Sequence, residues 1–203
     1  MLVLGTGNRK KGLELAELFR PLGIDLHTLA DFPDAISVEE TGDTFAANAT
    51  LKAVEQARHL DRWVLAEDSG LVVDALNGEP GIFSARYSGA GATDESNNRL
   101  LLERLADTPP GRRTAHYVCH TVLCDPCGAI CAESEACCRG RILSEPRGTH
   151  GFGYDPLFEL VEYHRSFGEL GPRVKACLSH RARAARLLVP QLMLLIDSGR
   201  LGK

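Results

Sequence analysis

The apolar positions change period along the chain. "LVLGT" (2–6) is a short continuous apolar run that stops at a glycine, which predicts a strand entering a turn. Leu13, Leu15, Leu18, Phe19 and Leu22 then recur at helical spacing, and Pro21 with Gly23 marks the exit. "IDLHTL" (24–29) predicts a second strand. A second helix is expected from about Asp43 to His59, with Phe45, Ala49, Ala53 and Ala57 on one face and Asp43 or Thr44 as N-cap. "WVLA" (63–66) and "GLVVDAL" (70–76) predict two further strands. "GATDESNNRLLLERL" (91–105) predicts a third helix capped by Thr93 or Asp94. "HYVCHTVLC" and "AICAESEACC" flank "DPCG" (125–128), a turn sequence, and predict a hairpin. "GRILSE" (140–145) adds strand, and "SHRARAARLLVPQLMLLI" (179–196) a last helix that Pro190 should kink or interrupt. Strands and helices alternate early and a hairpin follows, the pattern of a mixed-sheet α/β protein. No repeat or linker divides the 203 residues, so one domain spanning 1–203 is expected.

Charge narrows the partners. Lys plus Arg number 23 against 27 Asp plus Glu, a net charge of −4, which argues against binding along a nucleic-acid polymer. A small anion needs only a local positive pocket. No apolar run approaches the ~20 residues that cross a bilayer, and the N-terminus lacks a signal-peptide pattern, so no membrane partner and a cytoplasmic location are expected. Seven cysteines fit reduced thiols. Cys124 and Cys127 have zinc-like spacing, but the turn between them explains it and no second pair follows.

Four stretches carry candidate chemistry. "GTGNRKKG" (5–12) is a strand-to-helix turn with Thr6, Gly7, Asn8, Arg9, Lys10 and Lys11, whose backbone N–H groups and charges suit an anion. It lacks the third glycine of a dinucleotide fingerprint, where Lys10 stands, and the Lys-Ser/Thr of a P-loop. Glu39 and Glu40 in "VEETGDTF", with Glu67 and Asp68 closing the "WVLA" strand, are carboxylates of the kind Mg²⁺ takes beside substrate phosphates. Adjacent carboxylates at the end of a core strand repel, and a multivalent cation would offset that. "GFGYDP" (151–156) sets glycines around Phe152 and Tyr154, suited to a flat ligand. "VKACLSHR" (174–181) brings Lys175, Ser179, His180 and Arg181 to a helix start, with Ser179 a natural cap.

In this order and spacing, "TGNRKK" (6–11), "EETGDTFAANATLKA" (39–53), "AEDSGLVVDALNGEPGIFSARYSG" (66–89), "GFGYDP" (151–156) and "KACLSHR" (175–181) resemble the inosine/xanthosine triphosphate pyrophosphatase family. The resemblance implies an elongated mixed β-sheet with flanking helices and two lobes around a central cleft, in a homodimer. It implies Mg²⁺-dependent hydrolysis of purine nucleoside triphosphates (ITP, dITP, XTP) to the monophosphate and diphosphate. By position, Thr6, Gly7, Asn8, Arg9, Lys10 and Lys11 would bind the triphosphate. Asp68 would be general base and metal ligand, with Glu39 and Glu67 as further ligands and Ser69 a substrate contact. Phe152 would stack on the base, with Gly153, Tyr154 and Asp155 lining its pocket. Lys175, His180 and Arg181 would reach the base edge or phosphates. One departure is that Arg173 and Val174 precede Lys175, where the family often places an acidic residue directly before the lysine. Two other classes remain open, a nicotinamide-dependent oxidoreductase and a purine-nucleotide sensor without turnover.

Overall fold

The computed structural model describes residues 1–202. Seven strands, β1 (Leu2–Leu4), β2 (Leu26–Thr28), β3 (Trp63–Val73), β4 (Thr114–Cys124), β5 (Ile130–Ile142), β6 (Phe158–Leu160) and β7 (Arg165–Ser166), form one sheet in the order β2-β1-β3-β4-β5-β6-β7. β1 runs parallel to β2 and β3, whereas β5, β6 and β7 pair antiparallel. Helices α1 (Arg9–Phe19), α2 (Phe45–Leu60), α3 (Asp94–Arg104), α4 (Phe167–Leu178) and α5 (His180–Asp197) flank it. The expected mixed-sheet α/β class is what the chain adopts.

Two compact units divide the chain. The first comprises Met1–Asp68, Cys119–Ala136 and Arg181 onward; the second comprises Ser69–Val118 and Cys137–His180. In the first, Leu2, Leu4, Leu15, Phe19, Leu65, Leu123, Leu188 and Leu192 make one core, and Val3, Val64 and Ala66 meet the alanine face of α2 (Ala49, Ala53, Ala57) in another. The alternation in β1 and β3 thus feeds two cores from one sheet, as the period of two requires. In the second unit, Leu71 and Val73 of β3 pack with Leu101 and Leu105 and with the aromatics Tyr117, Tyr154, Phe158 and Phe167.

Local expectations fared differently from one element to the next. The "WVLA" and "GLVVDAL" runs are one eleven-residue strand, β3, and Ser69–Gly70 does not break it. Of "GRILSE", only residues 140–142 are strand, and they are the end of β5 rather than a strand of their own. α1 starts at Arg9, because Asn8 caps it, accepting from the backbone N–H of Lys10 and Lys11. Thr44 and Thr93 are the caps of α2 and α3. α4 was not foreseen; Gly171 (φ 77°) interrupts its helical dihedrals just before Pro172. Ser179 ends α4 as its C-cap. Pro190 lies inside a continuous α5. In the β4–β5 turn, Gly128 N–H donates to the Asp125 carbonyl (2.8 Å), and the Asp125 carboxylate accepts from Cys127 and Ala129 N–H. The turn is therefore complete from its own residues. Among the described residues no helix is long and apolar enough to cross a membrane.

The cap of α2 matters to function because the helix carries Asn48 and Lys52. Thr44 Oγ1 accepts from Ala47 N–H at 3.0 Å. Thr44→Ala should lower stability by about 1 kcal/mol, and Thr44→Ser should recover most of it. Denaturant midpoints for the three proteins check this, and equal midpoints would deny the cap its role.

Candidate active site

The sequence candidates fall into two groups, one in each unit. In the first unit, β3 carries Glu67 and Asp68 out of an apolar run. Both side chains are buried, Glu67 at 1% exposure and Asp68 at 5%. Burying carboxylates costs several kcal/mol unless charge and hydrogen bonds compensate. For Glu67 they do. Its Oε1 lies 3.2 Å from Lys11 Nζ of α1 and 3.2 Å from Arg181 Nη2 of α5. Its Oε2 accepts from the Cys119 thiol of β4 at 3.1 Å. Arg181, itself buried, also pairs with Glu14 of α1. Lys11 and Glu14 stand three apart on α1 and so share a face. Lys11, Glu67, Arg181 and Glu14 thus form a chain of alternating charge that begins and ends on one helix. Burial alone would raise the Glu67 carboxyl, but Arg181 and then Lys11 pull it well below its ordinary value of 4.5.

Asp68 has the other environment. Lys52 Nζ of α2 lies 2.9 Å from Asp68 Oδ1 and 2.7 Å from Glu40 Oε1, so two carboxylates share one ammonium. Asn48 Nδ2 reaches Asp68 Oδ2 only at 3.5 Å. Burial raises the Asp68 carboxyl above its ordinary 3.8, and Lys52 and Lys11 offset this only in part. Lys52 is raised as well: burial works against its charge, and Asp68 and Glu40 overcome that.

The expected turn at 6–11 is present but works differently. Lys10 and Lys11 N–H groups donate to Asn8 Oδ1 (3.0 and 3.2 Å), and Asn8 N–H donates to Thr6 Oγ1 (3.2 Å). What the turn presents to an anion is therefore chiefly side-chain charge, from Arg9, Lys10 and Lys11, and the helix dipole. Gly7, Arg9 and Lys10 are exposed. Glu39 is exposed, and its neighbour Glu40 makes the Lys52 contact instead. Glu14, Asn48, Lys52 and Cys119 were missed by sequence reasoning. Lys52 and Asn48 sit four apart in the "NATLK" stretch of α2, so helical spacing from one would have pointed to the other. Nothing in the sequence marked Cys119 apart from the other six thiols.

The oxygen donors fit Mg²⁺ at Asp68 and Glu40. Glu67 is held by Lys11 and Arg181, whereas Asp68 and Glu40 share the Lys52 ammonium. Among the described residues no group of three or more His, Cys, Asp or Glu side chains is placed to hold a metal. One or two carboxylates, with waters and substrate phosphates completing the shell, is the usual Mg²⁺ arrangement.

In the second unit, "GFGYDP" forms a turn organised by Asp155. Its Oδ2 accepts from Phe152 N–H at 2.9 Å and from Lys175 Nζ of α4 at 2.6 Å. Gly151 has φ +81°, and a methyl there would overlap the Asp155 carboxylate, so only glycine fits. Lys175 Nζ also lies 4.1 Å from the Phe152 ring centroid, a cation–π contact. Asn98 donates to the Gly153 carbonyl at 3.0 Å. Tyr154 is buried and its hydroxyl donates to the Ser84 carbonyl at 2.9 Å, which makes it a pillar of the turn. His180 is buried and stacks on Tyr117, 4.6 Å between centroids and 14° between planes. Ser69, the first residue of this unit, is half-buried on β3.

The ion pairs set an acid limit. Because the folded Glu67 carboxyl is depressed, its stabilisation is full above 4.5 and is lost as pH falls from there toward the folded value. Glu67→Gln leaves Arg181 and Lys11 short of a buried countercharge, so it should destabilise by about 3–5 kcal/mol at neutral pH. It should also flatten the dependence of melting temperature on pH below 4.5. Parallel acid limbs for the two proteins would remove Glu67 from that linkage.

A model of the Ham1 family matches residues 2–191. A dITP/XTP pyrophosphatase of Rhodopirellula baltica is 55% identical over 197 residues, covering 97% of this chain and 95% of that protein. A dITP/XTP pyrophosphatase of Geobacillus kaustophilus is 47% identical over 94% of this chain and 93% of its own length. Among solved structures, a HAM1 protein from Coxiella burnetii superposes with a TM-score of 0.86 at 37% identity, covering 95% of this chain and 98% of that one. The resemblance read from five short motifs therefore extends over nearly the whole sequence and its fold, and the chain belongs to the Ham1 family.

Proposed function

We propose that the protein is a Mg²⁺-dependent nucleoside triphosphate pyrophosphatase that hydrolyses ITP, dITP and XTP to the nucleoside monophosphate and diphosphate. The observation that carries this reading is Asp68, a buried carboxylate on β3 that shares the Lys52 ammonium with Glu40. The names of the relatives point to the same chemistry.

In this reading Asp68 orients a water and takes its proton as the water oxygen attacks the α-phosphorus. A raised carboxyl is a stronger base than an ordinary one, which suits that role. The bond between the α-phosphorus and the bridging oxygen breaks, and diphosphate leaves with the electron pair. Lys52 supplies positive charge toward the departing oxygens, and Lys11 binds the phosphate chain. Asp68 and Glu40 would hold Mg²⁺, and when bound the ion would neutralise phosphate oxygens and polarise the phosphoryl group. Glu67 anchors Lys11 and Arg181 rather than competing for that ion. The earlier assignment of Glu39 passes to Glu40, the residue that meets Lys52.

Base recognition falls to the second unit. Hypoxanthine and xanthine offer an oxygen at C6 and a donor at N1; adenine offers the reverse. Lys175 and His180 donate to a 6-oxo group, and Asp155 accepts from N1–H. Phe152 stacks on the ring, steadied by the Lys175 ammonium on the same aromatic. Adenine meets each of these groups with the wrong partner, and sites built on buried hydrogen bonds reject such mismatches by ~10⁴-fold or more. A cytoplasmic homodimer is part of the same proposal, and Leu187 and Leu194, both exposed on α5, are apolar surface available to a second copy.

Diphosphate release across a panel of nucleoside triphosphates, with and without Mg²⁺, tests the reading. kcat/KM should favour ITP, dITP and XTP strongly over ATP, with GTP weak, and turnover should stop under chelation. Equal values for ITP and ATP would sink the base assignment.

Asp68→Asn should reduce kcat by about 10²-fold or more. Its stability should move the other way. A carboxyl with a raised folded pKa is ionised at neutral pH at a cost that is absent below 3.8. Removing the charge relieves that cost, so the melting temperature at neutral pH should hold or rise. A folded Asp68→Asn protein with near-normal turnover would take Asp68 out of the mechanism.

A further inference from the structure

Cys119 stands outside the cysteine-rich hairpin turn and has no solvent exposure. Burial, and then the Glu67 charge, push its thiol well above the usual range, so it is an S–H donor. Its acceptor is Glu67 Oε2 at 3.1 Å, short for a sulfur donor and consistent with an ionised partner. The two oxygens of Glu67 therefore face different ways. Oε2 takes the thiol of the neighbouring strand and one contact from Arg181 at 3.4 Å. Oε1 takes Lys11 and the closer Arg181 contact, both 3.2 Å.

The terminal torsion of a glutamate is broad and roughly two-fold, so its carboxylate plane is set by partners rather than by an intrinsic rotamer. Lys11 is a flexible donor on a four-carbon stem and follows the carboxylate. Cys119 is held on β4 with one side-chain torsion and is the short, fixed partner. A thiol also suits the place chemically, since it packs as a small hydrophobe and desolvates cheaply while still donating.

We propose that Cys119 is a positioning residue: by donating its S–H to Glu67 Oε2 it fixes the carboxylate plane that turns Oε1 toward Lys11, and so sets the ammonium that meets the phosphate chain of the nucleotide. The inference rests on the function proposed above. It predicts that losing the donor weakens phosphate binding while the chemical step, which Asp68 performs, is little changed.

The test uses the full chain with Cys119→Val, which fills the space without donating, and Cys119→Ser, which keeps a donor. Binding of inorganic triphosphate is measured by calorimetry, and KM and kcat are measured for ITP. The valine variant should bind triphosphate about 3–10-fold more weakly and raise KM by a similar factor, with kcat within about 2-fold. The serine variant should recover most of the affinity. In a Lys11→Ala background the valine change should add no further loss, because its effect passes through Lys11. If the valine variant does not fold, Cys119→Ala takes its place in each comparison. Unchanged triphosphate affinity in the donor-less variant, or an equal loss with and without Lys11, would overturn the inference and leave Cys119 as core filling. A wild-type protein that neither binds triphosphate nor releases diphosphate from ITP would overturn the proposed function first, and this inference with it.

Discussion

The burial of one carboxylate, Glu67, organises the first unit. A carboxylate in a protein core is tolerated only when its partners return what water gave it, and Glu67 draws them from three elements: Lys11 on α1, Arg181 on α5 and Cys119 on β4. Glu14 then ties Arg181 back to α1. The result is a closed electrostatic circuit that pins the start of α1 and the start of α5 to the same point on β3. The helix beginnings that carry the proposed phosphate-binding turn are held by charge rather than by apolar packing alone. The cost of the arrangement is that each member relies on the others, so single substitutions strand a buried charge.

Asp68, one residue further along the strand, is treated in the opposite way. Alternation along β3 sends it toward α2, where it meets the Lys52 ammonium that Glu40 also claims. Two neighbouring carboxylates on one strand thus acquire opposite pKa shifts from their surroundings, one anchored and one left basic. Such a divergence between adjacent acids is a physical marker of divided labour. The repulsion that made the pair look expensive in the sequence is relieved by pointing the two side chains at different cations.

Most of the architecture was legible because it rests on local signals. The apolar runs of β1 and β3, the alanine face of α2, the threonine caps and the Asp-Pro-Cys-Gly turn are each readable from a few residues. Two elements went unread: the strand runs on through Ser69–Gly70 instead of stopping at Asp68, and α4 carries a kink at Gly171 that breaks its periodicity. The charged part of the site was legible as residue types but not as partnerships. Which of Glu39 and Glu40 faces inward depends on a loop conformation that no periodicity encodes. Cys119 was invisible because a buried thiol in a strand looks the same whether its neighbour is a leucine or a glutamate. Glu14 looked like an ordinary helix-surface acid until α5 delivered Arg181 beside it.

The cap at Asn8 restricts what that position can become. The same side chain that accepts from Lys10 and Lys11 N–H stands at the mouth of a turn rich in positive charge. Aspartate caps helices as well as asparagine does, but there it would set a negative charge where the proposed phosphate chain would bind. Leucine or alanine would leave the first helical amides without their acceptor. Position 8 is therefore squeezed between a folding demand for a short acceptor and an electrostatic demand for neutrality. Asparagine is the strong cap that meets both, with serine as the nearest alternative, whereas the exposed Lys10 nearby has more room to vary.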